Sequence, residues 1–361
     1  MIEKKSYTNF LMISFLMVMS LCVNLFSNPT AYSKGNQTIK QVSEITRDLR
    51  DYTNADGKVP DGLDNAIDDT RAMKSALSAG PGIVRIAPGH FCFGDVEIPS
   101  DVLVVGSGWA TIIHSNGAKV IFRQEKGNLW TLRDMVLDGG AEEDWKQRKD
   151  LGQSGISINH SAEWEISGLV IRNMNGAGVE MSYVYSSDLW KNNGTIINVQ
   201  ATKNFVGIRF GKRAEYINSS ALGCYENVVG CIIHGGNIKI TNSNINSNLT
   251  GILIEDKENG SHGSITNCLV NHNLNYSILC RGVGNGMIIN SCCFFGGTLL
   301  IQDSEGVNIT SGIIACHVKV TGEKTNRIAG NHIQGDKGVF TFEFAPSTII
   351  QDNFPSFDSK Q

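Results

Sequence analysis

The chain has 361 residues, 18% of them charged, and a net charge of −4. So even a balance excludes the broad basic face that bulk binding to nucleic acid requires. Thirty-nine glycines against seven prolines describe a turn-rich β protein rather than a disordered chain.

Residues 1–33 read as an export signal: Lys4 and Lys5, an apolar run from Phe10 to Phe26, then small residues at Ala31 and Ser33. Cleavage after Ser33 is expected, giving a secreted or periplasmic protein with no stable membrane insertion. The alternative is an uncleaved anchor, since the run is slightly long for a signal core and slightly short for a full span. Residues 34–82 form an N-terminal segment and a capping helix. Asp68 or Asp69 can cap a helix whose Ala72, Met73, Ala76 and Leu77 make one apolar stripe, and Gly80-Pro81-Gly82 ends it. An open solenoid end exposes unpaired backbone, so this helix is the expected cap.

Residues 83–354 hold short strands between Gly and Pro turns, and 355–361 form a tail. The opening phrases are Asp68-Asp69-Thr70 with Ala72, Ala76 and Leu77, then Ile83 to Phe91, then Val104-Val105-Gly106-Ser107-Gly108 and Thr111-Ile112-Ile113. Together they resemble the start of the pectate lyase superfamily domain, also called rhamnogalacturonase/epimerase-like. The resemblance covers roughly Asp56 to Asn116 by motif and the remainder by period. It implies an all-β fold, a right-handed parallel β-helix with an N-terminal capping α-helix, and a polysaccharide partner. Lyases, hydrolases, epimerases and phage tailspikes share these phrases, so they specify fold better than reaction. A Ca2+ cofactor is implied by the resemblance alone, and no metal-binding residues are assigned, because the histidines and cysteines show no shared ligand spacing. The Asn-Thr-Asp and Gly-His-Gly motifs of polygalacturonases and the Asp-Pro-His-Asp phrase of alginate epimerases are absent.

Two insertions interrupt the rhythm. Gly139 to Gln153 is a charged loop with Trp145, and Tyr183 to Asn193 carries Tyr183, Tyr185 and Trp190. Both adjoin glycine-led strands and should flank one face, where their rings suit either sugar stacking or cover for the sheet.

From Asn173 onward, an Asn or small polar stand-in returns every 20 to 25 residues: Asn173, Asn198, Asn218, Asn242, Asn267, Asn290, Ser311, Asn331, Asp352. One coil of a parallel β-solenoid fits each repeat, and stacked amides are expected to form a buried ladder through Asn242 and Asn267. In a second column Asn175, Asn204, Asn227 and Asn248 each stand three residues before Gly178, Gly207, Gly230 and Gly251. That pairing suits a turn with positive φ. Taking each glycine as a strand start, alternation puts Val179, Ile208, Cys231, Ile252 and Ile278 inward. It puts Ser157, Glu180, Arg209, Ile232, Leu253 and Leu279 outward, beside a column of Asn159, Ser182, Gly211, His234, Glu255 and Arg281.

His234, Glu255 and Arg281 therefore fall on successive coils about 4.8 Å apart. A base and a cation beside a uronate are what proton abstraction needs, with His234 and Arg281 in those roles and Glu255 orienting one of them. A surface ladder of alternating charge is the plainer alternative. Glycan binding is assigned to Trp145, Glu180, Tyr183, Trp190, Arg209, Lys212 and Arg213, with an anionic polysaccharide as expected partner. The reading is a lyase or epimerase on a uronic-acid glycan; a non-catalytic glycan-binding module and a glycoside hydrolase stay open. The hydrolase meets a distance problem, because Glu180 and Glu255 stand three coils, roughly 14 Å, apart while paired carboxyls sit about 5 to 9.5 Å apart. Of the cysteines, Cys231 and Cys280 are expected inward as packed thiols, with structural bridges as the alternative.

Overall fold

Each repeat supplies three short strands, and each strand pairs in parallel with its counterpart one repeat on. Val206–Phe210, Ile217–Ser220 and Gly223–Tyr225, for example, pair with Val229–Gly236, Ile238–Thr241 and Asn244–Asn246. The computed structural model describes residues 45–63, 66–159, 161–181, 194–212, 214–284, 286–334 and 340–354. They form a parallel β-solenoid of about 11 turns, 6% helical. The export signal, Tyr183, Trp190 and Arg213 lie outside the described residues.

Three faces of parallel strand ladders, counted as three sheets, enclose the main hydrophobic core. On the first, glycine-led sheet the inward column runs in register through Phe122, Ile156, Val179, Ile208, Cys231, Ile252, Ile278 and Leu299. Every one of these side chains is 0% exposed. The alternation read from the sequence is therefore the alternation of the sheet. Burying one such aliphatic side chain contributes about 1.5–3 kcal/mol, which makes the stacked columns the main source of stability. Cys231 and Cys280 lie in this core, and all eight described cysteines are free thiols.

The capping helix spans Thr70–Ser78 and buries Ala72, Met73, Ala76 and Leu77. Asp69 precedes it without capping it, whereas the Asp68 carboxylate accepts the Thr70 N–H at 2.9 Å. The N-terminal segment also adds a strand, because Thr46–Asp48 pairs with Gly82–Arg85.

The Asn period is real, and the Asn267 amide does donate to Asn242 Oδ1 at 2.6 Å as stacked amides should, but this pair is not buried. Asn242 and Asn267 are exposed corner residues with φ of 50° and 54°. Asn173, Asn198, Ala221, Ser291, Ser311 and Asp352 occupy equivalent corners with φ between 52° and 59°. Asn218 and Asn290 instead lie in strands, one to three residues before the corner, and Asn331 follows the Gly330 corner, where it is 1% exposed and its amide donates to Asn353 Oδ1 at 3.0 Å, a buried rung of the expected kind. Asn tolerates the left-handed region better than other non-glycine residues, which accounts for its recurrence here.

The buried ladder is the second column. Asn204, Asn227 and Asn248 are 0% exposed and Asn273 is 2%. Each side-chain oxygen accepts the backbone N–H of the ladder residue one coil earlier: Asn204 to Asn227 and Asn227 to Asn248 at 2.9 Å, Asn248 to Asn273 at 3.1 Å. At the first rung Met174, not Asn175, holds the position and donates to Asn204 Oδ1 at 3.0 Å.

The glycines that follow do not have positive φ. They are required by close approach: a Cβ on Gly207 would stand 2.4 Å from the Gly230 carbonyl oxygen, and one on Gly230 would stand 2.6 Å from that of Gly251.

Candidate functional site

The outward face of the first sheet carries two polar clusters. In the first, Glu255 pairs in register with Arg281 on the next coil, and Arg281 Nη1 lies 3.0 Å from Glu255 Oε1. On the preceding coil Ile233 pairs with Ile254, which brings His234 alongside Glu255, with Nε2 3.8 Å from Oε2. The Glu255 side chain is 12% exposed and that of Arg281 54%. One enclosed carboxylate thus sits between an imidazole and a guanidinium that reaches solvent. The register irregularity between Tyr276 and Ile278 falls on the pairing with the following coil, so it does not disturb the trio.

The second cluster centres on Arg209. Its Nη1 contacts Glu180 Oε1 at 3.1 Å, and its Nη2 contacts Asp150 Oδ2 at 2.5 Å. Ser154 Oγ donates to the other Glu180 oxygen at 3.0 Å. Burial works against the Arg209 charge, but Glu180 and Asp150 outweigh it and raise the guanidinium above the usual arginine value. Its charge is already matched by two carboxylates, so Arg209 does not offer the open cation expected for an anionic sugar.

Asp150 was not legible as a site residue. It comes from the Gly139 to Gln153 insertion, which is tied to the following coil where Ala141 N–H donates to Asn173 O and Leu151 N–H to Asn175 O. Arg148, 4% exposed, braces the loop from within by donating to Ala141 O and Glu143 O. Burial lowers its pKa. Trp145 is half-buried in this loop with the Lys146 ammonium 5.5 Å from its ring centre. The Asp150 contact places the loop against the sheet that bears Arg209 and His234. Lys212 lies in the turn after Val206–Phe210 and is half-buried. Among the described residues no group of three or more His, Cys, Asp and Glu is arranged to hold a metal ion, so no site is assigned to Ca2+.

No protein-family model matches the chain, and no curated protein is similar to it in sequence. Solved structures are similar in shape. A tailspike protein mutant of E. coli bacteriophage HK620, solved in complex with a pentasaccharide, superposes with a TM-score of 0.60 at 10% identity, covering 88% of this chain and 66% of that one. An alginate lyase from Paenibacillus sp. str. FPU-7 gives 0.53 at 14% identity, over 77% of this chain and 96% of the lyase. The AlgE6 A-module, a mannuronan C-5 epimerase of Azotobacter vinelandii, gives 0.50 at 14%, over 86% and 100%. The chain shares the parallel β-helix fold of these structures. At these identities the likeness establishes the β-helix alone, and the chemistry must be argued from this chain's own side chains.

Proposed function

We propose that this chain is an exported polysaccharide-processing protein that lays its glycan along the outward face of the first sheet and acts on a uronic-acid residue at the His234, Glu255 and Arg281 trio. The contact of three side chains from successive coils around one enclosed carboxylate, at 3.0 and 3.8 Å, carries this reading. His234 takes the proton from the carbon next to the uronate carboxyl. Arg281 holds that carboxyl and stabilises the enolate, and Glu255 orients both partners. In elimination the electron pair then expels the glycosidic oxygen from the neighbouring carbon, which leaves a double bond in the sugar while the departing oxygen takes a proton from water; in epimerisation water returns a proton from the opposite face. The names of the similar structures, an alginate lyase and a mannuronan epimerase among them, are consistent with either outcome. Export rests on Lys4, Lys5 and the apolar run from Phe10 to Phe26.

The test is turnover of a panel of uronate-containing polymers, followed by ultraviolet absorbance for the new double bond and by NMR for inverted C5 centres. His234→Ala and Arg281→Ala should each lower the rate by about 10²- to 10⁴-fold. Unchanged turnover in both variants would reduce the trio to a solvated charge ladder.

A hydrolytic reading has its own observation. Asp150 and Glu180 contact two nitrogens of one guanidinium at 2.5 and 3.1 Å. The two contacting oxygens are therefore at most roughly 8 Å apart, short of the upper limit of about 9.5 Å for paired glycosidase carboxyls. New reducing ends without ultraviolet absorbance, abolished by Glu180→Gln, would favour this reading over the trio.

A further inference from the structure

The outward face of the first sheet changes character halfway along. Arg123, Ser157, Glu180 and Arg209 follow one another in register, and the same column then continues as Ile232, Leu253, Leu279 and Leu300 before Lys319. Ile232 and Leu279 are each 6% exposed, with Ile232 packed among Ala177, Val206 and Leu253, so the strip meets solvent mainly through the half-buried Leu253 and Leu300. Four apolar side chains on consecutive coils make a strip of roughly 14 Å at the usual strand spacing. It runs beside the trio, because Ile232, Leu253 and Leu279 stand two residues before His234, Glu255 and Arg281 on the same three strands.

The charges beside it are already spoken for. Arg123 lies within 3.5 Å of Asp95, Glu97 and Glu125; Arg209 is held by Asp150 and Glu180, Arg281 by Glu255, and Lys319 by Glu343 at 2.6 Å. Among the described side chains on the strands of this face, Arg123, Arg209, Arg281 and Lys319 each have a carboxylate partner. A homopolymer of uronates would bring one carboxylate with every sugar, and each would meet either an apolar floor or a cation whose partner it must displace. Stripping a paired cation of its carboxylate leaves that carboxylate unmatched, a cost that a single incoming charge cannot offset at several places at once. Arg281 and Lys319 keep about half of their side chains in solvent, 54% and 48% exposed, and of the two Arg281 belongs to the trio, where it can receive one carboxylate.

We infer that the Ile232, Leu253, Leu279 and Leu300 strip forms the floor of the sugar subsites beside the trio and takes the apolar faces of deoxy or acetylated sugars, in a heteropolysaccharide that presents a single uronate to Arg281. This rests on the proposed function and narrows its substrate. An apolar floor with few donors suits the methyl group of a 6-deoxy sugar or an acetyl group, since removing either from water is favourable without a hydrogen-bond partner.

The experiment compares binding of deacylated gellan, whose repeat joins one glucuronate to a rhamnose and two glucoses, with binding of polygalacturonate, by calorimetry at matched uronate concentration. Turnover is measured on both. Gellan should bind at least tenfold more tightly. Leu253→Ser and Leu300→Ser, shown to be folded by circular dichroism, should each weaken gellan binding several-fold while leaving the weak binding of polygalacturonate unchanged. Equal or tighter binding of polygalacturonate, or no effect of either substitution, overturns the inference and leaves the polysaccharide reading standing. Conversion of an oligomer to a monomer by Leu253→Glu without loss of gellan affinity also overturns it, by making the strip a self-association face. Absence of binding and turnover on both polymers brings down the inference and the proposed function together.

Discussion

Replacing Asn248 with Ala should be among the most damaging single changes on the surface of the core, although it removes only a small polar group. Asn248 Oδ1 accepts the Asn227 backbone N–H at 2.9 Å and the Asn227 amide at 3.0 Å, while its Nδ2 donates to Cys224 O at 3.0 Å. The Asn227 side-chain amide keeps Ala201 O at 2.9 Å, and because the residue is 0% exposed the other two partners, the Asn227 N–H and Cys224 O, gain no water in compensation. Two buried groups left unmade at about 1–3 kcal/mol each give a loss of about 2–5 kcal/mol after partial relaxation. Asn242 looks equivalent in sequence but is exposed, so the Asn267 amide that it accepts can turn to water instead, and Ala there should cost mainly the left-handed penalty of about 1–2 kcal/mol. Asn242→Gly should cost less still. Urea unfolding followed by circular dichroism compares the variants, and hydrogen exchange at the Asn227 amide reports the local break even where the solenoid frays by parts. If Asn242→Ala proves as costly as Asn248→Ala, or the Asn227 amide keeps its protection in the latter, the ladder assignment is wrong.

Two further outcomes follow from packing and titration. Gly207→Ala should destabilise strongly, because the added methyl would stand 2.4 Å from the Gly230 carbonyl oxygen and push neighbouring coils apart; a thermal midpoint within error of the parent would contradict the close-approach account. His114 sits 3.0 Å from His90, with Nε2 facing Nδ1. Burial lowers its pKa, Asp138 opposes that, and His90 and Arg172 add to it. A histidine whose folded pKa lies below its unfolded value of about 6.5 contributes stability that is complete above pH 6.5 and lost as pH falls below it. Unfolding free energy should therefore decline on acidification from about pH 6.5, well before carboxylates titrate, and His114→Gln should flatten that decline in urea titrations.

How much of this was legible in the sequence depended on what kind of constraint each residue obeys. Alternation along a strand is fixed by backbone geometry, so Val179, Ile208 and Cys231 were placed inward and Glu180, Arg209 and Glu255 outward from the glycine phase alone. The same phase brought His234, Glu255 and Arg281 onto neighbouring coils, where the structure puts them in contact. Asparagine is ambiguous, because a left-handed corner and a buried amide ladder both select it. Asn242 and Asn248 could be told apart only once the path between the strands was known. The glycines were ambiguous in the same way, since positive φ and close approach both exclude a side chain. Asp150 was out of reach because loop residues obey no period, and nothing in its neighbourhood signals that it crosses two coils to meet Arg209.

The ladder and the trio occupy the same coils, and that coincidence links stability to the proposed chemistry. Asn227, Asn248 and Asn273 lie just before the strands that carry His234, Glu255 and Arg281. Each rung fixes the corner from which its strand departs, so the outward side chains are spaced by bonds on the opposite edge of the strand rather than by their own contacts. A trio held at 3.0 and 3.8 Å needs such support, because displacements of about 1 Å can cost a hundredfold in rate. Beyond Asn273 the next corner is Gly296 and Gly297, and the register shifts between Tyr276 and Ile278 in that pairing. The buried ladder and the polar trio therefore end on the same coil, as expected if the ladder preorganises the site as well as stabilising the solenoid.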